Sequence, residues 1–224
     1  MRARYGMRPS DRSFEFVMMY LSNMADPGLS VLPAHRLIRL LGDEPETMFP
    51  QGAERWFDLS PLPWHLSDAP SRAAQLRAHL ETAGKETAAM AFYRHGCEEG
   101  TLLRLRPGAE RDMGDELHSA LRKLDVLILS RLVFQRSLGY SLEALDDERR
   151  FFYESDMEKA LSSVSRGEMQ MGFFLNPTKI HQVREVASNR LVMPRKSTYF
   201  YPKVISGLVF NRMDPHEHIR FPRS

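Results

Sequence analysis

The sequence predicts an α+β fold, a mixed sheet with flanking helices that divides into one or two subdomains. Three observations carry this. Apolar runs of four to eight residues stand between turn signals, as in buried strands. Other stretches repeat their apolar residues every three or four positions, as in amphipathic helices. Hairpins alternate with strand–helix steps, which argues against an all-helical bundle.

The elements follow in order. Met1 to Pro9 is polar and basic, a loose tail or a helix end. Phe14 to Leu21, FEFVMMYL, is continuously apolar and predicts an interior strand. Asp26-Pro27-Gly28 is a turn, because proline fixes one dihedral and glycine permits the next. Leu29 to Leu32 predicts a strand running into Pro33-Ala34-His35-Arg36, and Glu44 to Gly52 a loop. Trp56 to Leu59 predicts a short strand, and the prolines of SPLPW exclude a helix there. Asp68 is placed to cap a helix starting near Ala69-Pro70, with Ala73, Leu76 and Leu80 as its stripe and Gly84 as its stop.

Ala88 to Tyr93 and Thr101 to Leu105 predict a hairpin, with Gly96 and Gly100 in its loop. Leu117, Leu121, Leu124, Ile128 and Leu132 mark one face of a longer helix that ends before Gly139. On that reading Leu121→Asp costs roughly 3 kcal/mol or more, by burying an unpaired carboxylate. Ser155-Asp156-Met157-Glu158 has the form of a capping box, with Met157, Leu161 and Val164 as the stripe and Gly167 as the stop. Met169 to Leu175, MQMGFFL at its core, predicts a second interior strand. Asn176-Pro177-Thr178 opens a helix with Ile180, Val183 and Ala187 on one side. Ser206 to Phe210 predicts a last strand, and residues 212–224 a mobile tail.

Composition narrows the function classes. The chain has 224 residues, 42% hydrophobic and 27% charged, with a formal net charge of +2. Such a chain buries a sizeable core without staples. Near-neutral charge gives no general pull toward nucleic acid or anionic lipid, so nucleic acid is not an expected partner. No segment has the length of a membrane span and the N-terminus lacks a signal-type apolar stretch, so a cytoplasmic location is expected. Cys97 is the only cysteine, which rules out an intrachain disulfide and a cysteine-rich zinc site. It reads first as a surface residue in a hairpin turn and second as a nucleophile, since no base stands at fixed spacing and the neighbouring acids disfavour a thiolate.

Several segments together resemble a known family. FEFVMMYLSNMADPGLSVLPAHRLI, the region Arg122 to Leu138, FFLNPTKIHQVREVA and VMPRKSTYFYPKVISGLVFN all resemble the family catalogued as domain of unknown function 1015. The resemblance spans essentially the whole chain, so residues 1–224 read as the C-terminal portion of the family domain. It implies an upstream segment bearing an Asp-Gly-His-His-Arg signature, which this chain lacks. A truncated or naturally short member is therefore expected, and a homo-oligomer or a partner supplying the N-terminal portion is left open. The missing signature is similar to one in the ParB-like and free-serine-kinase superfamily, where acidic and histidine residues handle nucleotide phosphates. None of those residues maps onto this chain.

Three regions could hold chemistry. Asn176, Thr178 and Lys179 sit at a strand-to-helix junction whose free amides suit an anion, although Thr178 as a simple N-cap explains the same residues. Arg195, Lys196, Ser197, Thr198 and Lys203 combine cations and hydroxyls between prolines, either as a phosphate loop or as a rigid loop with its charges in water. No glycine-rich cradle precedes Lys196, so this is not a Walker A motif. Thr178-Lys179 and Arg195-Lys196-Ser197 are expected to meet around an anion. His35 and Arg36 are candidate catalytic groups, a histidine titrating near neutrality and its cation, against a purely structural role. Asp214-Pro215-His216-Glu217-His218 reads as an exposed tail with no metal. The resulting expectation is a phosphate- or nucleotide-dependent enzyme fragment of phosphotransferase type, with ADP or ATP as candidate cofactor and a phosphorylated small molecule or nucleotide as partner. A noncatalytic ligand-binding or interaction domain is the alternative.

Overall fold

The computed structural model describes residues 12–42, 49, 50, 52–63 and 69–219. The chain divides into two compact units, Ser30–Tyr201 and a second one built from Met1–Leu29 with Pro202–Ser224.

The larger unit carries a six-stranded sheet in the order β3-β5-β4-β7-β2-β6. Its strands are β2 (His35–Ile38), β3 (Phe57–Pro63), β4 (Ala89–Arg94), β5 (Glu99–Leu105), β6 (Phe151–Glu154) and β7 (Met171–Leu175). A separate two-stranded sheet pairs β1 (Ser30–Leu32) with β8 (Tyr199–Tyr201). The expected α+β class holds. Every named pairing is antiparallel, so the sheet is not mixed in strand direction.

Helices cover both faces of the sheet. Beneath one face lie α1 (Ala69–Ala83) and α5 (Met157–Ser165). Leu76, Leu80, Leu161 and Val164 from these helices pack with Leu37, Tyr93, Leu102 and Phe174 from the strands. On the other face, Ile38, Met90, Phe92, Leu103 and Phe173 meet Leu124, Ile128, Leu129, Leu132 and Val186. Residues alternating along β2 thus belong to opposite cores, as the two-residue period of a strand requires. Aromatic rings knit the second core, with Phe92 5.0 Å and Phe134 5.1 Å from Phe173 between centroids.

Several expected elements form as predicted. The α1 stripe of Ala73, Leu76 and Leu80 is buried, the β4–β5 hairpin forms, and Met171–Leu175 is buried throughout. β3 runs through two prolines because it is an edge strand. The Trp56 carbonyl accepts from the Arg106 amide at 2.9 Å, so even-numbered residues of this segment face β5. Pro61 and Pro63 then turn their missing N–H groups outward.

Other expectations are corrected. The single helix read from Leu117 to Leu132 is broken into α2 (Ser119–Arg122) and α3 (Asp125–Ile128), and α3 continues as a nine-residue π-helix, Leu129–Ser137. A short helix α4 (Leu142–Leu145) follows, capped by Ser141. The cap of α5 is Asp156, which accepts from the Glu158 and Lys159 amides, and not Ser155. In α6 (Ile180–Ser188) the fully buried residue is Val186, while Ala187 is exposed.

The smaller unit holds the largest departures. Phe14 to Leu21 is not an interior strand: Ser13–Glu15 is a 3-10 turn and Val17 to Leu21 are all more than half exposed. Ser206 to Phe210 is likewise no strand, and Phe210 is 81% exposed. An apolar run records a tendency to leave water, but a strand also needs a partner edge for its amides. The Asp26-Pro27-Gly28 turn forms as expected, with the Leu29 amide donating to the Asp26 carbonyl at 3.0 Å. Part of the polar C-terminal segment is tied to the start of the chain: Arg12 bridges to His218, and the Ser13 amide donates to the Glu217 carbonyl at 3.0 Å. Met1 to Pro9, most of the Glu44 to Gly52 loop, the Asp68 cap and residues 220–224 lie outside the described residues.

Candidate functional site

β7 ends at Leu175 and the chain turns through Asn176-Pro177-Thr178-Lys179 into α6. Each polar side chain here has a definite place. The Asn176 amide donates to the Leu80 carbonyl at 2.8 Å, closing the last turn of α1. Gly84 must be glycine at this crossing, since a Cβ there would stand 2.9 Å from the Leu80 carbonyl oxygen and closer still to the Asn176 amide. Lys179, not Thr178, is the N-cap of α6. A lysine has no acceptor, so it cannot cap the first amides. Instead its own N–H donates to Gln182 Oε1 at 2.9 Å, and its Nζ donates to the Gly84 carbonyl at 2.8 Å. No side chain caps the amides at the α6 start. The Thr178 hydroxyl donates to the Ser197 carbonyl at 2.8 Å.

These groups border a cavity of about 130 Å³, whose lining includes Lys85, Thr87, Lys123, Asp125, Asn176 and Lys179. Asp125 begins α3 and its carboxyl is pushed up to about 7 by burial, against the opposing pull of the Lys179 ammonium and a backbone N–H. At neutral pH the group is therefore split between its proton-donating and its anionic form. Lys123 is paired with Glu185 at 2.6 Å, while its carbonyl accepts from Gln182 Nε2 at 2.9 Å.

The second predicted segment meets the first through backbone and not through its cations. Arg195 pairs with Asp146 at 3.1 Å, both well exposed. Lys196 Nζ lies 5.0 Å from the centroid of the Tyr153 ring, and the Arg36 guanidinium lies 4.4 Å from the same centroid. Ser197 is buried and its hydroxyl donates to the Pro194 carbonyl at 2.6 Å. Thr198 is half-buried beside it. The space bordered by Asp146, Tyr153, Arg195 and Lys196 is only about 20 Å³, too small for a phosphoryl group. Lys203 belongs to the other compact unit.

His35 and Arg36 cannot act as one pair. They are successive residues of β2, so their side chains enter opposite faces of the sheet. His35 is fully buried, accepts from the Leu175 amide at 3.2 Å through Nδ1, and leaves Nε2 without a hydrogen-bond partner. Burial drives its pKa down to about 3, with Arg36 and Arg77 adding to the effect and Asp156 opposing it. A histidine this hard to protonate is no acid–base group at neutral pH. Arg36 is buried as well. Its pKa falls to about 10 through burial, opposed by Tyr153, and its Nη2 donates to the Lys196 carbonyl at 2.8 Å. Its observed partners make it a structural cation.

Asp125, Thr87, Lys123 and Gln182 were not singled out from the sequence. The available signal was Asp125 itself, a lone acid inside the apolar run LDVLIL. Among the described residues no group of three or more His, Cys, Asp or Glu is placed to hold a metal ion, and no helix is long and apolar enough to cross a membrane.

A family model described as "Protein of unknown function (DUF1015)" matches residues 1–127. The chain belongs to this family. The matched stretch reaches from the N-terminus to α3 and includes Asp125, while the junction at Asn176 to Lys179 and the loop at Arg195 to Ser197 lie beyond it. Comparison with curated proteins gives no match. Among solved structures, a free serine kinase in complex with AMP is similar with a TM-score of 0.42 and 13% identity, covering 80% of this chain and 56% of that one. A glutamate-to-glutamine mutant of a free serine kinase, also in complex with AMP, gives a TM-score of 0.41 and 14% identity, covering 80% and 57%. This family member thus spans little more than half the length of those kinase chains.

Proposed function

We propose that this chain binds a small phosphorylated molecule, with the phosphoryl group in the cavity at the β7–α6 junction. One observation carries the reading: Lys85, Lys123 and Lys179 border one polar space of about 130 Å³ together with Asn176 and Thr178. Lys179 keeps further donors after its bond to the Gly84 carbonyl, because an ammonium has three. Lysines gathered at one space favour an anion. Lys85, Lys123 and Lys179 outnumber Glu86 and Asp125 in the lining. The volume suits a phosphoryl group and falls well below the roughly 300 Å³ at which pockets begin to enclose drug-sized molecules. ADP or ATP would therefore place only phosphate inside.

Turnover is the second reading, favoured by Asp125. A carboxyl with a pKa of about 7 at the cavity wall is matched to proton transfer near neutrality.

Calorimetric titration with phosphate, ADP and ATP tests the binding, at low and physiological salt. Wild type is expected to bind, and Lys179→Ala to bind about tenfold more weakly, the loss of one charge-assisted hydrogen bond. Equal affinities for the two proteins, or no binding by either, overturn the assignment. Release of product from ATP by wild type but not by Asp125→Asn would support turnover, and binding without release would leave a noncatalytic domain.

A further inference from the structure

A second, larger cavity of about 550 Å³ adjoins the first: Ala88 and Lys123 line both. Its character is different. Ala88, Leu105, Leu117 and Ile128 give it one apolar side, while Glu110, Arg111, Ser119, Arg122 and Lys123 also border it. Arg122 stands at its border but is held there, its Nε donating to the Leu117 carbonyl at 2.8 Å and its Nη2 to the Gly114 carbonyl at 3.0 Å. No Phe, Tyr, Trp or His contributes to the lining.

We infer that the ligand is a phosphomonoester of an aliphatic alcohol, its head in the small polar cavity and its hydrocarbon body along the apolar side of the larger one. The inference rests on the phosphoryl-site reading above. A polar space sized for a head group beside a space several times larger with one apolar side is the arrangement an amphiphilic small molecule fits. A nucleoside body fits less well, because a base gains most from an aromatic platform and this cleft offers none. Aliphatic carbon gains from Leu105, Leu117 and Ile128 by leaving water, about fourfold in affinity for each methylene buried.

The test is a calorimetric series on the full chain: inorganic phosphate, ethyl phosphate, butyl phosphate, hexyl phosphate and AMP. Ser119 is exposed at the mouth of the cleft, so Ser119→Trp fills it without entering the core. For wild type, affinity is expected to rise with chain length, and hexyl phosphate to bind at least tenfold more tightly than inorganic phosphate or AMP. Ser119→Trp is expected to flatten the series while keeping the affinity for inorganic phosphate. Phosphate binding without any chain-length dependence in wild type overturns this inference and leaves the phosphoryl site standing. AMP binding more tightly than hexyl phosphate also overturns it. Failure of inorganic phosphate and of every ester removes both readings at once.

Discussion

The Thr178 hydroxyl donates to the Ser197 carbonyl across 2.8 Å, tying the entrance of α6 to the loop that leads into β8. The same loop accepts the Arg36 guanidinium at the Lys196 carbonyl, so two successive carbonyls are held by side chains distant in sequence. Thr178→Val keeps the shape of the side chain and removes the donor. It is expected to cost about 1–3 kcal/mol, because the Ser197 carbonyl loses its partner. Denaturant melts measure this, and an unchanged midpoint would show that the tie contributes nothing to stability.

His35 and Asp125 act oppositely on stability as pH changes. The folded pKa of Asp125 is about 7, above its ordinary 3.8, so the folded state holds an extra proton in between and stability falls as pH rises through that window. The folded pKa of His35 is about 3, below its ordinary 6.5, so the unfolded state holds the extra proton and stability falls as pH drops below about 6.5. Each slope is up to ~1.4 kcal/mol per pH unit, and the two offset between about pH 4 and 6.5. Asp125→Asn is expected to expose the histidine slope, with stability falling steadily on acidification through that range. Urea melts at half-unit pH steps check this; parallel profiles for wild type and variant would disprove the offset.

Anion affinity should carry the titration of Asp125. Below pH 7 the carboxyl is neutral, and above it a negative charge faces the cavity. Sulfate, which does not itself titrate in this range, is expected to bind roughly fivefold more weakly at pH 8 than at pH 6. Asp125→Asn should bind it with one affinity at both pH values. Isothermal titration at constant ionic strength reads the difference directly.

Within the stripe read as one helix, burial is unequal. Leu132 is fully buried in the π-helix, whereas Leu121 is half-buried against the core. Leu132→Ala is expected to cost about 2–5 kcal/mol, and Leu121→Ala less. Comparison of their denaturation midpoints decides the order, and a reversed order would place Leu121 deeper than this packing does.

Gly172 lies in β7 with its missing side chain aimed at a neighbour. A Cβ would stand 2.9 Å from Phe174 Cε2 and 3.0 Å from Val164 Cγ2. Gly172→Ala is expected to destabilise by about 1–3 kcal/mol through overpacking. A thermal melt at or above the wild-type midpoint would show that Phe174 swings aside without cost.

Much of the larger unit was legible because period and burial coincide there. In α1, Ala73, Leu76 and Leu80 repeat at helical spacing and all face one core. The broken helix was not legible, since Leu124, Ile128 and Leu132 reach the same core through α3 and the π-helix alike. A shift in hydrogen-bond ladder leaves such a stripe readable as continuous. FEFVMMYL misled for a different reason: its composition suits a strand, and nothing in composition supplies the neighbour to pair with. The candidate site was half legible. Asn176, Thr178 and Lys179 announce themselves as a strand–helix junction, but Thr87, Lys123 and Asp125 join them only through tertiary packing, which spacing along the chain does not encode.

The two prolines of β3 give the six-stranded sheet a direction of growth. From Pro61 onward, the outward margin of β3 offers no donor at either proline, so an incoming chain would find acceptors without the alternating N–H groups that a ladder needs. The opposite margin, β6, carries no proline. Any lateral annealing of this six-stranded sheet, whether during folding at high concentration or in an aggregate, is therefore steered toward β6.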